Sequence, residues 1–127
     1  MDLDRRQIVA AGLGLAATTV AAPAFGDTPM YGLIGRMTAV PGQRDALAGI
    51  LLEGTGEMPG CLSYIVAKDP ADADALWITE VWDNQDSHRA SLQLPAVQAA
   101  IARGRPLIAG FDSQVETEPL GGVGLRA

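Results

Sequence analysis

The order in which the hydrophobic periodicity changes along the chain is the strongest constraint on its fold. Apolar residues at every second position predict strands, and apolar residues at helical spacing predict helices. The predicted order is strand, helix, strand, strand, helix, strand, at residues 31–40, 43–53, 62–68, 76–82, 85–103 and 111–118. Two right-handed crossovers on one antiparallel four-stranded sheet give the split βαβ, ferredoxin-like α+β architecture.

The second helix is predicted to be interrupted. Asp83 and Asn84 are candidates for the residue that caps its start. Pro95 fits poorly inside a helix but well in the first turn of a new one, so the helix should end near Leu92 and resume at Ala96.

Both predicted helices lie on the same face of the sheet, which leaves the other face in need of cover. On the first strand, the residues expected under the helices are Leu33, Gly35 and Met37. Those expected on the open face are Ile34, Thr38, Leu76 and Ile78, together with Arg36 and Glu80, either paired across the strands or solvated. This face is too apolar for water, so a second copy of the sheet is its natural cover and an obligate homodimer is expected.

The start of the chain is interpreted as an export signal. Arg5 and Arg6 precede an uncharged run at 8–22, which is shorter than the roughly 20 residues that cross a bilayer. Small residues follow at 22–26 and suit a signal peptidase. The paired arginines resemble a twin-arginine signal, with a Sec signal or an uncleaved interfacial helix as alternatives.

The predicted organisation has three parts. They are a signal at residues 1–26, one domain at 27–120 and a flexible glycine-rich tail at 121–127. The expected protein is exported to the periplasm or secreted, without stable insertion into the membrane after signal cleavage.

Composition and charge exclude several kinds of binding partner and of metal or disulfide site. A length of 127 residues allows one domain, and nine basic against fifteen acidic residues give a net charge of −6. An acidic surface repels phosphate backbones, so no nucleic acid partner is expected. A single cysteine, Cys61, and a single histidine, His88, exclude an internal disulfide and metal sites that need two imidazoles or several thiolates. Cys61 is expected to be a small buried apolar residue.

Three short segments, in this order and spacing, resemble the antibiotic biosynthesis monooxygenase family, which includes quinol monooxygenases. They are Met58-Pro59-Gly60-Cys61-Leu62-Ser63-Tyr64, Thr79-Glu80-Val81-Trp82, and His88-Arg89-Ala90-Ser91 with Pro95-Ala96-Val97. The resemblance implies a dimeric α/β barrel with a pocket between sheet and helices that uses no metal, flavin or haem cofactor. It also implies oxidation of a small aromatic substrate, a phenol, quinol or anthrone, to a quinone by molecular oxygen.

His88 is the predicted catalytic base. An unperturbed histidine has a pKa of about 6.5, which suits proton abstraction near neutral pH. A phenolate is a far better electron donor to oxygen than a phenol, so one base within apolar walls can suffice. The alternative is a partly exposed helix histidine that contributes only to packing or capping.

The predicted pocket residues surround this histidine. Gly35 leaves space over the sheet for a flat ring, and Tyr64, Trp77 and Trp82 are candidates for an aromatic wall. Pairing of Arg36 with Glu80 would turn Trp77 toward the pocket and Trp82 toward the dimer. The alternative is that these aromatic residues simply fill the core.

Two further pocket candidates share the predicted helix with His88. They are Ser91 and Leu92. The Ser91 hydroxyl could hydrogen-bond the imidazole, although a helical serine more often bonds back to its own backbone.

Two other functions remain open. A stress-response or small-ligand-binding dimer would have the same barrel and no turnover. Haem binding occurs in the same fold, but that branch uses Asn, Trp and His where this chain has Gly35, His88 and Gln98. A neutral amide is a poor iron ligand, so haem is the weaker alternative.

Overall fold

A computed structural model describes residues 28–125 of the chain. Its strands are β1 (Tyr31–Ala39), β2 (Cys61–Lys68), β3 (Ala75–Trp82) and β4 (Ile108–Thr117), and its helices are α1 (Arg44–Gly54), α2 (Gln85–Ser91) and α3 (Pro95–Gly104). A short 3₁₀ helix, Arg105–Leu107, joins α3 to β4. The predicted export signal and the last two residues of the predicted tail lie outside the described residues. No helix within residues 28–125 is long and apolar enough to span a bilayer.

The four strands form one antiparallel sheet in the order β2-β3-β1-β4. Helices α1 and α3 pack on the same face of this sheet and contact each other. This arrangement confirms the ferredoxin-like α+β fold predicted from the element order. The opposite face, called the open face below, carries no helix among the described residues.

The core between sheet and helices consists of two clusters. The first, beneath α1, contains Ala39, Leu47, Leu76 and Ile78. The second, beneath α3, contains Met58, Cys61, Trp82 and Val97. Burying one leucine side chain contributes about 1.5–3 kcal/mol, so these clusters fix the helices on the sheet. Cys61 is buried as predicted, whereas Trp82, expected at the dimer interface, is 1% exposed inside the core.

Strand β1 has the predicted orientation. Leu33 is 4% exposed beneath the helices, and Gly35 and Met37 share its face. Ile34 and Thr38 lie on the open face, as expected from the alternation of side chains along a strand.

Strand β3 presents to the helices the face opposite to the one predicted. Leu76 and Ile78 are buried against Leu47, so their expected place on the open face was wrong. Trp77 lies on the open face, opposite Arg36, and its expected turn toward the pocket was also wrong. Both faces of β3 carry apolar side chains, so alternation alone does not decide which one the helices cover.

Arg36 does not pair with Glu80, because the two side chains lie on opposite faces of the sheet. Its guanidinium instead forms three ion pairs on the open face, with Asp69 at 3.2 Å, Asp72 at 3.1 Å and Asp112 at 2.7 Å. The Trp77 indole N–H also donates to Asp69, at 3.0 Å. These contacts link β1, β4 and the turn between β2 and β3.

The predicted interruption of the second helix is confirmed. The side-chain oxygen of Asn84 accepts a hydrogen bond from the backbone N–H of Ser87 at 2.8 Å, which caps α2. Helix α2 ends at Ser91, and Pro95 is the first residue of α3. Proline lacks a backbone N–H, but at this position of a helix the N–H would have no partner within the helix.

Strand β4 begins earlier than predicted and contains a β-bulge. Ser113 pairs with Arg36, but Phe111 pairs with the next residue of β1, Met37, so Asp112 is the extra residue. Phe111 therefore lies on the helix-covered face, while Ser113 lies on the open face. In a regular strand these two side chains would share a face, but the bulge reverses the alternation between them.

Candidate active site

A cavity of about 280 Å³ lies on the helix-covered face of the sheet and extends to β4. Its lining residues are Leu33, Gly35, Arg36, Met37, Tyr64, Ile78, Glu80, Phe111, Ser113 and Gln114. The side chains of Arg36 and Ser113 point to the open face. Among the lining residues that the structure describes, Glu80 is the one carboxylic acid, and the walls around it are largely apolar.

The strand register places the lining side chains in rows across the sheet. Tyr64, Glu80 and Leu33 form one row, on β2, β3 and β1. Ile78, Gly35 and Gln114 form the next row, on β3, β1 and β4. Neighbouring strands are about 4.8 Å apart, and same-face rows along a strand about 6.7 Å apart. The cavity thus has Glu80 and Tyr64 at one end and Gln114 at the other.

Gly35, which is predicted to leave space for a flat ring, forms part of the cavity floor. A Cβ atom added there would meet only the backbone oxygen of Ser113, at 3.6 Å, which is an ordinary van der Waals distance. The missing side chain therefore leaves space above the sheet that a flat ring can occupy.

Glu80 is a partly buried carboxyl group with two polar neighbours. Its Oε1 atom accepts a hydrogen bond from the Trp82 indole N–H at 3.0 Å and lies 3.8 Å from His88 Nε2. Its side chain is 17% exposed. Burial raises the pKa of Glu80 above its usual value, and the hydrogen bond from Trp82 and the charge of a protonated His88 offset this only in part. A carboxylate with a raised pKa is a stronger base than one in water.

His88, the predicted base, lies behind Glu80 and does not line the cavity. Its ring centroid is 5.3 Å from that of Tyr31 and 5.4 Å from that of Trp82, with the Trp82 contact edge-on. The two aromatic rings hold the imidazole with Nε2 toward Glu80. His88 therefore reaches the cavity through the carboxyl group.

Tyr64, also predicted for the pocket, lies directly opposite Glu80 in the pairing of β2 with β3. Its ring packs against both core clusters. Burial is the main cause that raises the pKa of Tyr64, and the charge of Glu80 is the next. Its hydroxyl is therefore protonated at neutral pH.

Four predicted pocket residues lie outside the cavity. Trp77 is on the open face, and Trp82 is buried beneath His88, where it positions Glu80. The Ser91 hydroxyl donates to the backbone oxygen of His88 at 2.6 Å, which is the backbone alternative rather than a contact with the imidazole. Leu92 caps α2 and is 41% exposed.

Sequence reasoning missed Glu80, Phe111 and Gln114 as cavity residues. Glu80 was assigned to the wrong face of β3, although it lies in the segment 79–82 that carried the family resemblance. Phe111 was misplaced because the bulge at Asp112 has no clear signature in the sequence. Within residues 28–125, no three or more His, Cys, Asp and Glu side chains are grouped so that they could hold a metal ion.

Comparison with known protein families assigns the chain to one of them. The profile of the family described as antibiotic biosynthesis monooxygenase matches residues 30–103, which is more than half of the chain. The chain belongs to this family. The antibiotic biosynthesis monooxygenase profile spans Gly35, Tyr64, Glu80 and His88, while Phe111 and Gln114 follow it on β4.

Solved structures of other members agree with this assignment. A protein of Chloroflexus aurantiacus, provisionally named an antibiotic biosynthesis monooxygenase, is 68% identical, with a TM-score of 0.74 over 76% of this chain and 98% of that one. A protein of Deinococcus radiodurans with the same provisional name is 26% identical, with a TM-score of 0.61 over 73% and 95% of the two chains. A protein of Caulobacter crescentus is 17% identical, with a TM-score of 0.67 over 74% of this chain and 92% of that one. At this identity the likeness shows the shared fold alone. A comparison with functionally curated proteins finds no match.

Proposed function

We propose that the protein is a cofactor-independent monooxygenase that oxidises a phenol, quinol or anthrone-like aromatic with molecular oxygen. The observation that carries this proposal is the partly buried carboxyl group of Glu80 at one end of a cavity with largely apolar walls. Membership of the antibiotic biosynthesis monooxygenase family supports the reaction class. The open floor at Gly35 suits a planar ring.

The chemistry requires removal of one proton from the substrate. Ionisation of the hydroxyl group raises the electron density of the ring, which then transfers electrons to oxygen. For a phenol, one oxygen atom forms the second carbonyl and the other leaves as water, so phenol and O₂ give para-quinone and H₂O. Apolar walls exclude bulk water from the reacting atoms and fix the ring next to the base.

Glu80 is the group that receives this proton, because it lines the cavity and His88 does not. His88 acts through Glu80, as a positioning residue that holds the carboxyl group and moderates its pKa. Both Trp82 and His88 approach Oε1 of the carboxyl group, which leaves Oε2 for the substrate.

Oxygen uptake tests the proposed function. The wild-type protein is mixed with hydroquinone, 1,4-dihydroxynaphthalene or anthrone, and the rate is compared with autoxidation in buffer. Catalase is then added: two-electron oxidation of a quinol releases H₂O₂ and returns half of the oxygen, whereas monooxygenation releases water and returns none. Uptake no faster than in buffer for all three substrates would contradict the proposal and favour a ligand-binding protein without turnover.

We also propose that the protein is a homodimer joined through the open face. Ile65, Thr79, Ile34 and Val115 form one row across all four strands of this face. Ile65 and Val115 expose 56% and 53% of their surface. An exposed apolar row of this kind is unfavourable in water, and a second copy presents a matching one, so two-fold pairing covers both.

We propose that residues 1–26 direct export by the twin-arginine route, as expected from Arg5, Arg6 and the uncharged run that follows. With Arg5→Lys and Arg6→Lys together, the protein should stay in the cytoplasmic fraction at its full length. Undiminished recovery of a shortened protein outside the cytoplasm would contradict this route.

A further inference from the structure

The hydroxyl group of Tyr64 is a polar group that the proposed chemistry does not yet use. Tyr64 lines the cavity beside Glu80. No hydrogen bond found among residues 28–125 involves this hydroxyl. Tyrosine hydroxyl groups in partly buried sites usually have a hydrogen-bond partner. Because the Tyr64 hydroxyl has none among the described residues, it can donate a hydrogen bond to a ligand in the cavity.

The position of this hydroxyl is fixed by its own ring. The ring packs against both core clusters, between the side chains beneath α1 and those beneath α3. A group held in this way needs little reorganisation when a ligand arrives, which is the condition for electrostatic stabilisation of a developing charge. Among the described residues, the side chain of Glu80 accepts a hydrogen bond from Trp82 and none from this hydroxyl.

We propose that the Tyr64 hydroxyl donates a hydrogen bond to the substrate oxygen from which Glu80 removes the proton, so that Tyr64 is a second catalytic residue. This inference rests on the proposed function. The two side chains lie opposite each other on adjacent strands, at a spacing that lets them reach one small atom between them. Glu80 takes the proton, and Tyr64 stabilises the negative charge that remains on the oxygen.

The ionisation of a bound chromogenic phenol tests this contact without turnover. The probe is 4-nitrophenol, whose absorbance reports its ionised fraction, titrated against pH while bound to the wild type or to Tyr64→Phe. Loss of one hydrogen bond to a charged oxygen should raise the apparent pKa of the bound probe by about one to two units. The matched control is Thr55→Val, which removes a hydroxyl that donates to the backbone oxygen of Leu51 at 2.7 Å outside the cavity lining.

A second measurement does not depend on the folding of Tyr64→Phe. The chain has two tyrosines, so 3-fluorotyrosine incorporated into Tyr31→Phe labels Tyr64 alone. Its ¹⁹F resonance should shift when 4-nitrophenol binds and should shift further when the bound probe ionises. An unmoved resonance at saturating probe, or equal probe pKa values in the wild type and Tyr64→Phe, would overturn the proposal.

Turnover provides the third readout and separates the two proposals. With a substrate that the wild type oxidises, Tyr64→Phe should lower kcat about ten- to hundredfold while KM changes less than about threefold. Full kcat in Tyr64→Phe would overturn the catalytic role. If the wild type oxidises none of the three substrates but the probe pKa still depends on Tyr64, the hydrogen bond is supported and only the proposed function fails.

Discussion

The Nε2 atom of His88 lies 3.8 Å from Oε1 of Glu80, yet only Glu80 lines the cavity. The histidine is enclosed by Tyr31 and Trp82, and Trp82 also donates a hydrogen bond to the same carboxylate oxygen. The histidine that the sequence suggests as base therefore lies behind the cavity wall, and the carboxyl group in front of it lines the cavity. This order of contacts determines what each substitution should do.

Substitution of His88 should change the pH dependence of turnover more than substrate binding. A protonated His88 lowers the pKa of Glu80, so His88→Asn removes that effect and raises the pKa of Glu80 further above its usual value. Because the base must be ionised, the acidic limb of the kcat profile should move to higher pH.

Steady-state kinetics across pH check this prediction. Arg89→Asn, on the exposed side of the same helix, is the control and should leave the profile in place. An acidic limb at the wild-type position in His88→Asn would show that His88 does not act through Glu80.

Side-chain volume at Gly35 should control access to the cavity. The Cβ of Gly35→Ala meets nothing closer than 3.6 Å, so this variant should bind and turn over substrate within about threefold of the wild type. Gly35→Leu fills the space above the sheet and should abolish binding of 4-nitrophenol, measured by calorimetry, in a protein that still unfolds cooperatively. Equal affinity in the alanine and leucine variants would mean that the ligand binds elsewhere.

The fold class and the ends of α2 and α3 can be predicted from the sequence because local signals decide them. Asn84 and Pro95 fix where α2 begins and where α3 resumes, and both are read directly from residue chemistry. The order of periodicities fixes the fold class. Gly35 and Tyr64, two of the residues predicted for a pocket, line the cavity.

The orientation of β3, the bulge in β4 and the cavity lining depend on pairing between residues that are far apart in the sequence. Either face of β3 could lie under the helices, since Trp77 and Ile78 are both apolar, and the choice is made by packing against α1. The bulge at Asp112 depends on the register with β1, and it moves Phe111 to the cavity face. Glu80 could be recognised as a cavity residue only once these pairings were known.

The open face should control the association of two copies. Val115→Asp places a charge in the apolar row across the sheet and should weaken the homodimer at least about tenfold, because an uncompensated charge is costly to bury. Sedimentation velocity over a dilution series measures the effect. Leu52→Asp is the matched control, since Leu52 is 55% exposed but lies on α1, and its dimer should match the wild type. A wild-type protein that stays monomeric at every concentration would refute the dimer.

The role of Glu80 as the base is tested most directly by the rate of oxygen uptake by Glu80→Gln. This substitution keeps the shape of the side chain and removes its ability to accept a proton. Glu53→Gln, at an exposed ion pair with Arg103, is the control. If Glu80 receives the substrate's proton, kcat/KM of Glu80→Gln should fall about 10²–10⁴-fold while the control changes less than about twofold. A Glu80→Gln variant that consumes oxygen at the wild-type rate, with 4-nitrophenol still bound in the cavity, would contradict the account.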